Sequence, residues 1–368
     1  MDTGTSSRNL YIEMAKVIGI VLVVTGHSFG AGLFAAKLYH MPLFFVISGL
    51  TLKAAASSDF KDFAIKKLKR LYVPFLVYEF VFLALNPLLN GIGVLSEKYE
   101  SVADYCKALI HILLFDNCNI LLSPIWFLTV LFFAICIAFV VLKMVGTNNI
   151  AGILGLVLIY AGMILGNNGL LIVSISHSFV QVINVTIMAT GYILVGWTVK
   201  QAITGDKIRA CVGSTWARLV AILLLGVIIV SERITKVKAD MRGNTYEMIP
   251  LQPILALIGI AGVFAIGAFV VDFVKVRKLE TVEKLICFVA RHTIEIMCLH
   301  FVSFKLLGLI QVKLLGYSRE GLADWALVDT SAVGLCIATA FGIVIPLCVG
   351  YVVDWCKSIK AQKKHKII

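Results

Sequence analysis

Runs of apolar residues long enough to cross a bilayer recur along this chain, and they leave it few folds. A bilayer core takes about 20 residues of helix, and within it every backbone N–H and C=O must be paired inside the protein, which a helix does by itself. About ten such spans are read, near residues 10–29, 39–56, 71–90, 123–144, 150–166, 179–199, 217–233, 250–273, 293–313 and 328–356. Residues 104–115 and 283–292 are too short to cross and are expected to lie at the interface or re-enter. The chain is 60% hydrophobic with a mean hydropathy of +0.96, against about 45–50% apolar in soluble domains. No cleavage pattern follows the first run, so it reads as an uncleaved anchor. The expected fold is an all-α polytopic membrane protein of about ten transmembrane helices. Residues 1–9 form a cytoplasmic N-terminus, 10–356 one membrane domain, and 357–368 a basic cytoplasmic tail.

Lysine and arginine mark the cytoplasmic loops of membrane proteins. Here they gather after the second span (Lys53, Lys61, Lys66, Lys67, Lys69, Arg70), after the sixth (Lys200, Lys207, Arg209, Arg218), after the eighth (Lys275, Arg277, Lys278, Lys284, Arg291) and in the tail. Every cluster follows an even-numbered span, which places both termini in the cytoplasm. The connection from Glu232 to Glu247 mixes charges and reads as an outer loop. The net charge of +12 is thus a topogenic signal with contact to anionic membrane lipid beside it. Basic residues in separate short loops without interleaved aromatics speak against nucleic-acid binding. The nine cysteines show no metal spacing, so no metal is expected; Cys106 and Cys118 share an outer segment and are candidates for pairing.

The first span carries Glu13, Lys16 and His27 in an otherwise apolar run. An ionisable group at mid-bilayer costs about 2.5–3.5 kcal/mol on insertion scales and usually faces the protein interior with a function. Eleven residues separate Lys16 from His27, which returns to within about 20° of the same helix face some 16 Å further along the axis. Glu13 falls within about 40° of that stripe. The bland readings are that Lys16 snorkels to the interface and that Glu13 only neutralises it at i, i+3.

Further motifs carry a family resemblance. Glu13, Lys16 and Gly26-His27-Ser28 are followed by His40-Met-Pro-Leu-Phe-Phe-x-Ile-Ser-Gly49. Then come Lys67-x-x-Arg70-Leu71-x-x-Pro74, Trp126-Phe-Leu128, and a weaker Thr293-Ile-x-Ile-x-x-x-His300. In this order they make the chain resemble the membrane-bound acyltransferase 3 family, most closely its branch of fucose 4-O-acetylase-like sugar acetyltransferases. Two positions depart from the pattern: Glu13 where aspartate is typical, and Val17 where glycine is common.

The resemblance implies an acyltransferase-type membrane domain that moves an acyl group, usually acetyl, from cytoplasmic acyl-CoA to a hydroxyl of a cell-surface glycan or lipid-linked sugar. Its place would be the inner (plasma) membrane. The family's essential histidine maps onto His27, its basic residue onto Lys16, and its CoA-phosphate pair onto Lys67 and Arg70. Acetyl-CoA is the expected donor. Histidine titrates near working pH and suits a general base for the acceptor hydroxyl; transfer through an acyl-histidine is the second route. Glu13 and His40 join His27 as catalytic candidates, His40 to orient the acceptor or polarise the thioester carbonyl. Trp126, Asn244, Tyr246 and His300 are candidate acceptor contacts. Against these stand an interfacial belt role for Trp126 and a topogenic role for Lys67 and Arg70. The rival function is a transporter or exporter of a glycan or lipid-linked saccharide, its ionisable residues relaying protons.

Overall fold

The computed structural model describes residues 9–30, 33–52, 59–96, 98–145, 148–168, 177–203, 213–237, 239–319, 322–323 and 327–365. The expected N-terminal segment up to residue 8, Lys53, Lys207 and Arg209 of the basic connections, and residues 366–368 of the tail lie outside them. The described chain forms α1 (Leu10–Ser28), α2 (His40–Leu50), α3 (Phe60–Gly91), α4 (Val102–Leu113), α5 (Trp126–Val145) and α6 (Asn148–Asn167). It continues with α7 (His177–Ile203), α8 (Thr215–Thr235), α9 (Gln252–Val276), α10 (Glu280–Arg291), α11 (Thr293–Leu315) and α12 (Ala332–His365). Nine helical stretches among the described residues are long and apolar enough to span a membrane. α8 stands outside that set, yet its 21 residues reach about 32 Å. Its charges Arg218 and Glu232 are met by Asp272 at 2.5 Å and Lys37 at 2.8 Å. The protein is a polytopic α-helical membrane protein.

Local sequence explains the helix ends. Asn9 caps α1 by accepting from the Tyr11 N–H at 3.1 Å, and Ser101 with Asp104 forms a reciprocal capping box at α4. The two short segments, α4 and α10, are 12 residues each, too short to cross. α10 turns only Ile286, Val289 and Ala290 into the core. Two expectations need revision. The second span begins not at 39 but with a 3-10 turn at Leu33–Leu38 and continues in α2, which ends at Leu50. Lys61 to Arg70 do not lie in a connection: α3 is 32 residues long, about 48 Å, and carries them on its first turns.

α2 is the central helix, buried almost throughout and packed on α7 and α1. Backbone contact with α7 demands glycine on both sides, because a Cβ at Gly49 would strike the Ile193 carbonyl and one at Gly196 the Val46 carbonyl. Gly155 and Gly162 of α6 meet the α7 backbone in the same way, and Gly152 packs on the Thr198 side chain. Cys118 donates to the Ala108 carbonyl at 3.5 Å and forms no disulfide with Cys106.

The connection between α8 and α9, expected as an outer loop, folds as a hairpin, Ala239 pairing with Tyr246 and Asp240 with Thr245. Near the opening of α5, the Asn117 side-chain amide donates to Glu79 at 2.5 Å and is shared with the carbonyls of Asn119 and Leu122. Glu79, fully buried in α3, thereby fixes the loop leading into the 3-10 turn Ile120–Ile125 and α5.

Candidate active site

At the end of the bundle bearing Lys16 lies a cavity of about 270 Å³. α1 supplies Glu13 and Lys16, α2 supplies Phe44, Ile47 and Ser48, and the residue after it, Thr51, also lines the wall. Lys67 and Arg70 enter from α3, and Arg291 from the last turn of α10. Phe127 and Leu131 of α5 and Thr293 and Ile294 of α11 complete much of the wall. The three residues expected to meet phosphate, Lys16, Lys67 and Arg70, are therefore brought together from two helices far apart in sequence. Arg291 is a fourth cation that sequence reasoning placed only among topogenic charges.

The four cations are not equally free. Lys16 pairs with Glu13 at 3.0 Å, and Arg291 with Asp354 of α12 at 3.2 Å. Lys67 lies over the Phe63 ring, 5.4 Å from its centre, and among the described residues neither Lys67 nor Arg70 has an acidic partner. A cavity with four cations and one carboxylate in its wall, two of the cations without a counter-charge, is built for an anion.

Three helices lead away from that cavity, and each carries a histidine further along. On α1, His27 follows Lys16 by about 16 Å of helix. On α2, His40 stands one turn beyond Phe44, on the same face. On α11, His300 lies seven residues, about 10 Å, beyond Thr293. The His27 and His300 rings meet with centres 5.2 Å apart, and Phe301 sets its edge against His27 at 4.8 Å. His27 is exposed whereas His300 is completely buried. The His300 Nδ1 lies 2.9 Å from the Ile296 carbonyl, and its Nε2 has no hydrogen-bond partner. His40 Nδ1 approaches the Ala36 carbonyl at 2.5 Å. Among the described residues, His300, His40 and Arg242 of the hairpin lie near enough to act electrostatically on His27. The Ser28 hydroxyl beside it bonds Thr339 of α12 at 2.6 Å and pins the end of α1.

The remaining expected residues separate. Glu13 belongs to the cationic cavity, some 21 Å of helix from His27, with one carboxylate oxygen unpartnered. Trp126 opens α5 half-buried, edge-on to Phe127. Asn244 and Tyr246 do not open to solvent. Asn244 is 2% exposed, donates to the Gly162 carbonyl at 3.3 Å and presses on Gly166. Tyr246 bonds Met188 through its hydroxyl and Asn167 through its backbone N–H. Both anchor the hairpin to α6 and α7. Arg242 of the hairpin is exposed, as are Asp240 and Thr245, and its guanidinium donates to the Ser123 hydroxyl. Its only signal in the sequence was a charge in an outer loop.

A family model described as an acyltransferase domain matches residues 9–351, nearly the whole chain and every element of both stations. No curated protein and no solved structure matches.

Proposed function

Because this chain belongs to the acyltransferase 3 domain family, we propose that its two stations split one reaction across the membrane: acyl-CoA binds at the cationic cavity and the acyl group leaves at His27. The observation that carries this reading is the pairing of an anion-seeking cavity with a histidine on the same helix. Lys16, Lys67, Arg70 and Arg291 hold the phosphates of the donor, with arginine favoured for bidentate contact. The pantetheine arm follows the α1, α2 and α11 faces, past Phe44, to present the thioester near His27. Both termini are then cytoplasmic, the Lys16 end faces the cytoplasm and the acceptor arrives from the opposite side, at the inner (plasma) membrane.

At His27 the acceptor hydroxyl attacks the thioester carbonyl while the imidazole takes its proton. A C–O bond forms, the carbonyl oxygen becomes an oxyanion, and its collapse breaks the C–S bond. The thiolate of CoA receives the proton from the imidazolium, which restores neutral His27. Arg242, whose field reaches His27, stabilises the oxyanion, and His40 orients the acceptor. The acyl group is acetyl and the acceptor a hydroxyl of a surface glycan or lipid-linked sugar, with Trp126 as a platform for a sugar face, as in the fucose 4-O-acetylase-like branch.

The test is transfer of radiolabel from acetyl-CoA to a panel of methyl glycosides by the full chain in lipid, wild type against His27→Ala. Label in a glycoside with wild type alone supports the reading. Equal transfer by both removes His27 from the chemistry, and no transfer from any acyl-CoA to any glycoside overturns the function.

A further inference from the structure

His300 is the one buried histidine that faces the proposed base, and its own hydrogen bonding decides what it offers. The Ile296 carbonyl at 2.9 Å can only accept, so the proton of neutral His300 sits on Nδ1. That leaves the Nε2 lone pair as an acceptor, and this nitrogen is completely buried without a partner. A buried polar atom left unpaired is costly, so it calls for a donor. The ring beside it is His27, centre to centre 5.2 Å and inclined by 32°. Each imidazole nitrogen lies about 1.2 Å from its ring centre, so two nitrogens turned toward each other at this spacing would come to about 2.8 Å, an ordinary hydrogen-bond length. The hydrogen bond is not made as the rings stand, and the broad terminal torsion of His27 leaves its ring free to turn an N–H toward His300.

We infer that His27 and His300 form a dyad in which His300 is a positioning residue: its Nε2 accepts the N–H of His27, and this holds the lone pair on the opposite His27 nitrogen toward the acceptor hydroxyl. The inference rests on the reading of His27 as the base. It gives His300 a task other than contact with the acceptor, which a fully buried side chain reaches poorly. The proton count closes. His300 stays neutral throughout with its proton on Nδ1, and the only proton that moves goes from the acceptor hydroxyl to His27 and on to the departing thiolate. A neutral acceptor suits the place, because a carboxylate there would add a buried charge in the membrane. Phe301, edge-on to His27 at 4.8 Å and 4.6 Å from the His300 ring, limits how far the two rings turn apart.

The test combines a spectrum with kinetics on the full chain in lipid. In 15N-histidine-labelled protein, the His27 signals, assigned by their loss in His27→Gln, should show one tautomer in wild type and a mixture in His300→Leu. With acetyl-CoA and methyl glycosides, His300→Leu should lower kcat about 100-fold with both KM values unchanged. His300→Gln, which keeps an acceptor oxygen near the Nε2 position, should restore kcat to within about 10-fold of wild type. Unchanged acetyl-CoA binding by His300→Leu certifies its fold; if that variant does not fold, the spectrum and kcat of His300→Gln decide. An unchanged His27 spectrum, or wild-type kcat in folded His300→Leu, overturns the dyad. If wild type transfers no label at all, the proposed function fails, and the dyad still stands or falls on the spectra.

Discussion

The two stations differ in how they handle charge. The Lys16 end gathers four cations from α1, α3 and α10 around one carboxylate and, among the described residues, leaves Lys67 and Arg70 without an acid. The His27 end brings together two imidazoles and a phenyl ring, and the fixed cation nearby among the described residues, Arg242, comes from the hairpin between α8 and α9. In the proposed reaction the first arrangement would recognise a polyanion through charges that water and salt screen. The second would handle a proton with imidazoles, which can do so without carrying a permanent charge into a low-dielectric region. If the proposed reaction holds, with binding at one end and chemistry at the other, variants should divide accordingly into effects on KM and effects on kcat.

The largest effect should come from the chemical end. His27→Ala is expected to lower kcat by about 10²–10⁴-fold while acetyl-CoA binding, measured by calorimetry in lipid, is unchanged. A loss of donor affinity instead would merge the two stations into one. At the other end, Lys67→Ala and Arg70→Ala should each raise the donor KM about 10-fold, the equivalent of ~1.4 kcal/mol for a charged hydrogen bond, with kcat held. Raising ionic strength should raise the wild-type donor KM in the same direction and leave kcat alone, since screening acts on exposed charges. A salt-dependent kcat would break the division. Removing a competitor should act oppositely: Asp354→Asn frees Arg291 from its 3.2 Å partner and should lower the donor KM about 2- to 3-fold, within the range of an exposed ion pair.

The stripe that joins Lys16 to His27 was legible in the sequence because both residues lie on one helix. Helical geometry alone puts Lys16 and His27 on a common stripe, and α1 carries them so. Lys67 and Arg70 were legible as a basic pair, although they ride on α3 rather than in a connection. Arg291 was not legible as a cavity residue. Its place depends on α10 turning back against the bundle so that its last turn reaches the α1 and α3 charges, a tertiary event without a local pattern. Nor does any spacing relate residue 27 to residue 300. The hairpin misled for a physical reason: polar residues in an outer loop read as solvent-facing, but a two-residue strand pair points alternate side chains to opposite faces. Tyr246 thus turns inward to α7 while Thr245 beside it is exposed. The second span was displaced because a 3-10 turn, whose apolar content matches that of a helix, supplies its first part.

The hairpin gives the finest test, because it contains both kinds of residue within three positions. Asn244 is wedged against Gly166 and holds the Gly162 carbonyl, so Asn244→Ala should remove one buried hydrogen bond, about 1 kcal/mol. It should lower the thermal midpoint of the purified protein and leave the acceptor KM untouched. Arg242 donates to Ser123 from an exposed position near the proposed acceptor side, so Arg242→Ala should spare the midpoint and reduce kcat. If the roles invert, with Asn244→Ala raising the acceptor KM at an unchanged midpoint, the hairpin contacts the sugar through its buried face. The hairpin would then have to lift from α6 and α7 to admit the acceptor, and the outer station would be a moving part rather than a fixed one.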